Sequence, residues 1–277
     1  MKTIISKDKL YAHLNDESLR IVDCRFQLGN PQFGESQYIE SHIPGAVYFD
    51  LEKDLSDEVT KHGGRHPLPK IEDFQRKLEE VGISTQTKVV AYDGGEGSFA
   101  ARLWWLLKYV GHEEVYILDG GIKEWQASAL PVSTEVPTYS QSEYRIELQD
   151  DMLATVENVR QAVKDRTVTL IDSRASNRYL GVEEPIDKIG GHIPTAINKD
   201  WVEGFQDGHF KTPSEQAERF QEFSKDEPII VYCGSGVTAT PNYIALKEAG
   251  YTNIKLYAGS YSDWISYDEH EVEIGRN

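Results

Sequence analysis

The sequence predicts an α/β protein built as a tandem duplication, each copy a mostly parallel sheet flanked by helices. Three observations lead there. Short apolar or β-branched runs such as Lys88 to Tyr92, Val115 to Leu118 and Ile229 to Tyr232 alternate with segments of helical period. The chain also starts again half-way. Val22-Asp23-Cys24-Arg25 returns as Ile171-Asp172-Ser173-Arg174, and the His42-Ile43-Pro44 turn returns as His192-Ile193-Pro194, at offsets of 149 and 150. Finally, Val90-Ala91-Tyr92-Asp93-Gly94 is echoed by Ile230-Val231-Tyr232-Cys233-Gly234, and Gly120 with Trp125 by Gly259 with Trp264. A repeat this long is a duplicated domain rather than a short-period solenoid. The expected domains are residues 1–143, including a linker from about 131, and 144–277.

Composition narrows the class of function. At 277 residues and 39% hydrophobic content the chain can bury two cores, and the net charge of −17 argues against nucleic acid or an anionic membrane as partner. No apolar run approaches a membrane span. The N-terminal stretch passes straight into a helical pattern, so no secretory leader is expected. Two cysteines, Cys24 and Cys233, make no disulfide framework and fit a reducing cytoplasm. No cofactor is expected.

In chain order, Ser6 to Leu14 reads as a helix with Ser6 as N-cap, and Arg20 to Asp23 as a strand. Ser41 to Val47 is a turn into a short strand. Ile71 to Val81 is amphipathic and stops at Gly82, and the helix from about Ser98 to Val110 stops at Gly111. Asp119-Gly120-Gly121 opens the last helix of the first half. The stretch from Pro131 to Asp151 is rich in Pro, Ser, Thr and Glu without period, and reads as a linker crossing a domain surface. The paired features, Asp23 with Arg25, Asp172 with Arg174, His42, His192, Trp125 and Trp264, read as scaffold. The histidines are expected to bond backbone, the tryptophans to be core and Cys24 to be a small buried residue. His62 and His66 do not suggest zinc, because Gly63 and Gly64 break any helix that would align them.

The chemistry is expected at Cys233. It ends a buried strand, and Gly234-Ser235-Gly236 lets the backbone curl around its sulfur before a helix with Thr240 as N-cap, Pro241 as N1 and Gly250 as terminator. Such a loop aims N–H groups at one anion, which favours the thiolate. The alternative, a buried structural cysteine, does not need two glycines and a helix N-terminus.

Cys-Gly-Ser-Gly-Val-Thr, Cys233 to Thr238, resembles the active-site loop of the two-domain sulfurtransferases of the rhodanese superfamily, and the fold expected is therefore two rhodanese-like domains. The resemblance implies transfer of a sulfane sulfur from 3-mercaptopyruvate or thiosulfate, through a Cys233 persulfide, to cyanide or a thiol such as thioredoxin or a low-molecular-weight thiol. Ser235 and Thr238 would bond the sulfur or the leaving group, with the backbone of Gly234, Gly236 and Val237 forming the cradle. Arg178, in the segment from Asp172 to Gly181, would hold the donor's anionic group, with Arg174 beside it. His66 and Glu52 match a histidine and an acid of the same family. Asp93 replaces the cysteine in the first half, followed by Gly94, Gly95, Glu96 and Gly97, which implies a catalytically silent domain. The mercaptopyruvate group carries a second arginine after a Glu-Pro pair. Here Glu184-Pro185 is followed by Ile186, which predicts weaker carboxylate binding and a high KM. Because the loop itself lacks basic residues, 3-mercaptopyruvate is the expected donor. A cysteine phosphatase is disfavoured by Ala239, which stands where a phosphate-clamping arginine is needed. A non-enzymatic sulfur-carrier or regulatory module on the same fold is the remaining alternative.

Overall fold

A computed structural model describes residues 3–275. The chain divides into two compact units whose membership is not a simple cut. The first comprises the chain through Asp57, Pro69–Gln149 and Asp207–Phe210. The second comprises Glu58–Leu68, Asp150–Gln206 and the chain from Lys211 onward.

In the first half the order is β1 (Ile4–Ile5), α1 (Lys7–Tyr11), β2 (Leu19–Asp23), α2 (Phe33–Glu40), β3 (Ala46–Tyr48), α3 (Ile71–Glu80), β4 (Lys88–Tyr92), α4 (Ser98–Tyr109), β5 (Val115–Leu118) and α5 (Gly121–Ala127). The five strands form one sheet in the order β1-β5-β4-β2-β3. Every pairing in it is parallel. Helices cover a parallel sheet because its crossovers lie on its faces, and β4 is correspondingly buried from Val89 to Tyr92. Ser6 caps α1 by accepting from the Lys9 amide, but the helix stops at Tyr11 and the chain turns before Leu14.

The second half repeats the plan. Its elements are α6 (Val156–Asp165), β6 (Thr169–Asp172), α7 (Ser176–Tyr179), β7 (Ile197–Asn198), β8 (Phe205–Gln206), β9 (His209–Phe210), α8 (Pro213–Arg219), β10 (Ile229–Tyr232), α9 (Thr240–Glu248), β11 (Ile254–Leu256) and α10 (Ser260–Trp264). The sheet order is β11-β10-β6-β7, all parallel. The strand that delivers Cys233 is therefore central and buried throughout.

The scaffold pairs behave alike in both units. Arg25 forks onto Asp23, and Arg174 onto Asp172, with the arginine's own amide also donating to the aspartate. His42 Nδ1 meets the Tyr38 carbonyl, and His192 Nδ1 the Tyr179 carbonyl. Trp125 and Trp264 are buried, and each indole N–H donates to a carbonyl just downstream, of Pro131 and Glu271. The segment after α5 has no helix or strand up to Gln149, and it runs along the first unit. Ser142 donates to the Glu79 carbonyl, Glu147 to that of Val110, and Tyr144 is buried. Among the described residues, no helix is long and apolar enough to cross a membrane.

Candidate active site

The loop after β10 is pinned before it curls. The amide of Tyr261 donates to the Cys233 carbonyl and that of Ser262 to the Gly234 carbonyl, each at 3.0 Å. Gly236 then takes φ +76° and brings its N–H to 3.2 Å from Cys233 Sγ. A Cβ there would lie 2.1 Å from the Ala258 carbonyl oxygen, so only glycine closes this turn. The amides of Ser235, Val237 and Thr238 have no acceptor among the described residues and belong to the same curl. Thr238 is half-buried, and its hydroxyl likewise has no partner there. The helix that follows starts one residue earlier than its sequence suggests. Thr240 is its first residue rather than its cap, with Ala239 as N-cap, and the Thr240 hydroxyl donates back to the Val237 carbonyl. Gly250, at φ +90°, follows the last turn.

One residue at the sulfur was not anticipated. Ser260 takes the left-handed φ of +55°, a strained conformation for a residue with a side chain. Its hydroxyl accepts from the Cys233 amide at 3.1 Å, donates to the Tyr257 carbonyl at 2.8 Å and lies 4.0 Å from Sγ. Its counterpart in the first half is Gly121, at the same φ of +55°. The repeat therefore held the signal: a serine stands where the matching position is a glycine.

Segment Glu58–Leu68 comes from the first half of the sequence but belongs to the second unit. Gly64 makes that packing possible, since a Cβ on it would lie 2.3 Å from the Gly259 carbonyl oxygen. Gly63 donates to Asp263 and Arg65 N–H to Ser262 Oγ, while His62 bonds Ser266 and stacks on Tyr267. No metal cluster occurs among the described residues, and these histidine contacts are structural. Two side chains of the segment reach the loop. His66 Nδ1 lies 2.8 Å from Ser235 Oγ, both residues being buried. Arg65 stands against Gly234, where an added Cβ would be 2.7 Å from Arg65 Nη2 and 3.4 Å from Arg178 Nη2.

Two guanidinium groups thus stand against the residue after the cysteine. The expectation that the loop lacks a neighbouring positive side chain is corrected by Arg65. Ile186, where a second arginine was expected, is exposed, and Arg65 supplies a second guanidinium beside Arg178. Burial lowers the Arg65 pKa, and the Cys233 thiolate beside it works the other way. Arg178 gives its Nε to Glu184 at 3.0 Å and Nη2 to Asp187 at 2.7 Å, and Arg65 Nη1 bonds the other oxygen of Asp187. Arg174 differs from both. Its side chain is 1% exposed and committed to Asp172, Glu184 and the Gly191 carbonyl, so it positions Glu184 and has no fork left for a donor. Glu52 is exposed on a first-unit turn, where its amide caps Asp50.

The first-half loop is built on the same plan around a carboxylate. Asp93 Oδ1 accepts from Gly95 and Gly97, and Oδ2 from Phe99 and Ala100, at 2.9–3.2 Å. Burial still raises the Asp93 pKa against these four donors. Beside it burial, then the Asp93 charge, push Glu96 up to about 7. Burial first, then the charges of Asp23, Asp93 and Asp54, pushes the Cys24 thiol well up.

The rhodanese-like domain family model matches residues 6–128 and again 155–267. The chain belongs to the rhodanese family. Among curated relatives, the "Probable 3-mercaptopyruvate sulfurtransferase" of Pseudomonas aeruginosa is 38% identical over 98% of each chain. The 3-mercaptopyruvate sulfurtransferase of Escherichia coli K12 is 35% identical over 97% of each. The thiosulfate sulfurtransferase of Rattus norvegicus is 32% identical over 94% of this chain and 89% of its own. The solved structure of SseA from Escherichia coli superposes with a TM-score of 0.85 at 33% identity, covering 95% of this chain and 100% of that one. Two rhodanese-like domains in tandem, with Cys233 only in the second, are thus the family's architecture in this chain.

Proposed function

We propose that this sulfurtransferase uses Cys233 as its sulfur carrier and 3-mercaptopyruvate as its preferred donor. The observation that carries the reading is the Gly236 amide at Cys233 Sγ with Arg65 and Arg178 both against Gly234. The Cys233 thiolate attacks the donor's sulfur. The carbon–sulfur bond breaks, its electron pair leaves as the enolate of pyruvate, and the enolate then takes a proton. The persulfide's outer sulfur lies among the amides of Ser235, Gly236, Val237 and Thr238, which offset its charge. An acceptor thiolate attacks that sulfur and regenerates Cys233, giving two half-reactions and ping-pong kinetics.

Arg178 and Arg65 hold the donor's carboxylate as planar forks, a match that a lysine would not make. The buried pair Ser235–His66, on the cysteine's own loop, serves to move the proton between the leaving enolate and the thiol. Thr238 adds a hydroxyl at the loop's edge, Arg174 acts through Glu184, and Glu52 has no part in this scheme. The first domain is catalytically silent, because a carboxylate carries no sulfane sulfur. A thiol acceptor such as thioredoxin or a low-molecular-weight thiol suits the chemistry, and a reducing cytoplasm suits two unpaired cysteines.

Steady-state rates with both donors on one preparation test the donor. We expect a higher kcat/KM for 3-mercaptopyruvate, and a kcat/KM about tenfold higher for thiosulfate would overturn that choice on transition-state grounds. Cyanolysable sulfur on the donor-treated protein tests the carrier independently, and none at Cys233 would favour a non-enzymatic module.

A further inference from the structure

We infer that Asp187 is an internal carboxylate seated in the donor's own anion site, and that Arg65 and Arg178 pass to a substrate only in exchange for it. The inference rests on the sulfur-transfer reading above and concerns how the donor gains its site.

Asp187 already makes the contacts that a bound carboxylate would make. One oxygen takes Arg65 Nη1 and the other takes Arg178 Nη2 at 2.7 Å. Its side chain has no other partner among the described residues. The same two guanidinium groups approach Gly234, Arg65 through Nη2 and Arg178 through Nη1 and the Nη2 that also bonds Asp187, so the site that Asp187 fills adjoins the residue after Cys233. The clamp is also incomplete as it stands. Arg65 Nε is buried without a hydrogen-bond partner, a donor that a second carboxylate could satisfy.

The setting of Asp187 suits a removable occupant. Its side chain is 2% exposed, yet the surrounding loop faces outward, with Val182, Ile186 and Ile189 all exposed. Gly181 at φ +72° and Gly191 at φ +113° bracket that loop, and both conformations favour glycine. Within it the two acids differ. Glu184 is anchored to the buried Arg174 and accepts the amides of Ile186 and Asp187, so it belongs with the scaffold. The Asp187 carboxylate, by contrast, is held by the two donor-binding forks, and only its backbone amide ties it to Glu184. While it is seated, a donor's apparent affinity falls by the fraction of molecules with the site closed.

Asp187→Asn keeps the shape and removes the charge. With 3-mercaptopyruvate we expect KM to fall about fivefold or more, while kcat stays within about twofold. Pyruvate, a carboxylate with no sulfur to give, should inhibit with a Ki lowered by a similar factor. In an Arg178→Ala background the same substitution should lower KM by a smaller factor than in the wild type, since one of the two forks that latch Asp187 in its seat is already gone. A KM that rises or stays put in Asp187→Asn, or an unchanged pyruvate Ki, overturns the inference and makes Asp187 a structural brace for the arginines. Asp187→Ser is judged by the same readings if thermal melting shows the asparagine protein unfolded. Donor identity is read from the wild-type protein alone and the latch from variant-to-wild-type ratios, so the two readings fail separately.

Discussion

The loops after β4 and β10 start from equivalent strands and end in equivalent helices, yet one is filled and the other is open. In the first, Asp93 turns its carboxylate inward and takes four backbone N–H groups itself. In the second, Cys233 receives one amide at its sulfur and leaves others of the curl without an acceptor. A buried anion-shaped cradle is stable when something occupies it. The first loop supplies its own occupant and so needs no ligand. The second leaves donors of its curl open. Gly121 and Ser260 show the same divergence: the backbone conformation is shared, but only the second copy carries a side chain there, and its hydroxyl accepts from the Cys233 amide.

The comparison can be broken first at the cysteine. Cys233→Ser should abolish sulfur transfer with both donors, by about a thousandfold or more, because the alkoxide is inaccessible and holds no persulfide. The mass of one sulfur atom still added to the donor-treated variant would contradict it. A smaller effect is expected at Glu96, whose carboxyl is pushed up to about 7 by burial and by Asp93. Between the ordinary carboxylate value and 7 the folded form binds more protons than the unfolded form, so stability falls as pH rises through that window. Glu96→Gln should remove this dependence and raise stability at pH 8 by about 1–3 kcal/mol, measured by urea unfolding at pH 5 and pH 8. No gain at pH 8 would mean that the loop solvates the charge. The smallest effect is expected from Asp93→Asn, with turnover within about threefold of wild type. A hundredfold loss in a folded protein would show that the first loop takes part in the chemistry.

The parts of this comparison that lie along the chain were legible from residues alone. β4, β5 and β10 carry continuous apolar runs, and the glycines after α3, α4 and α9 mark their ends. The Asp93-for-Cys233 exchange was visible once the halves were set side by side. α2 was not, because it buries only Gly34 and Tyr38 and has no side-chain cap, so neither periodicity nor a start signal shows. Arg65 was missed for a different reason. It lies 168 positions before Cys233 and reaches the loop through Gly64's close approach to Gly259, a contact no local pattern encodes. The sequence also suggested Arg174 as a ligand, since a buried guanidinium and an available one look the same in one dimension.

The trading of segments between the units has its own implication. Glu58–Leu68 lies just before α3, and Asp207–Phe210 just before α8, so the two halves give away the same stretch of the repeat. In the first unit His209 and the Phe210 amide both bond Asp119, much as Gly63 and Arg65 bond the turn into α10 in the second. Two identical subunits that swapped this arm and were later joined end to end would leave this pattern. Neither half of the sequence alone holds the residues gathered around Cys233. A protein cut after Gln149 would retain Cys233 but forfeit His66 and Arg65.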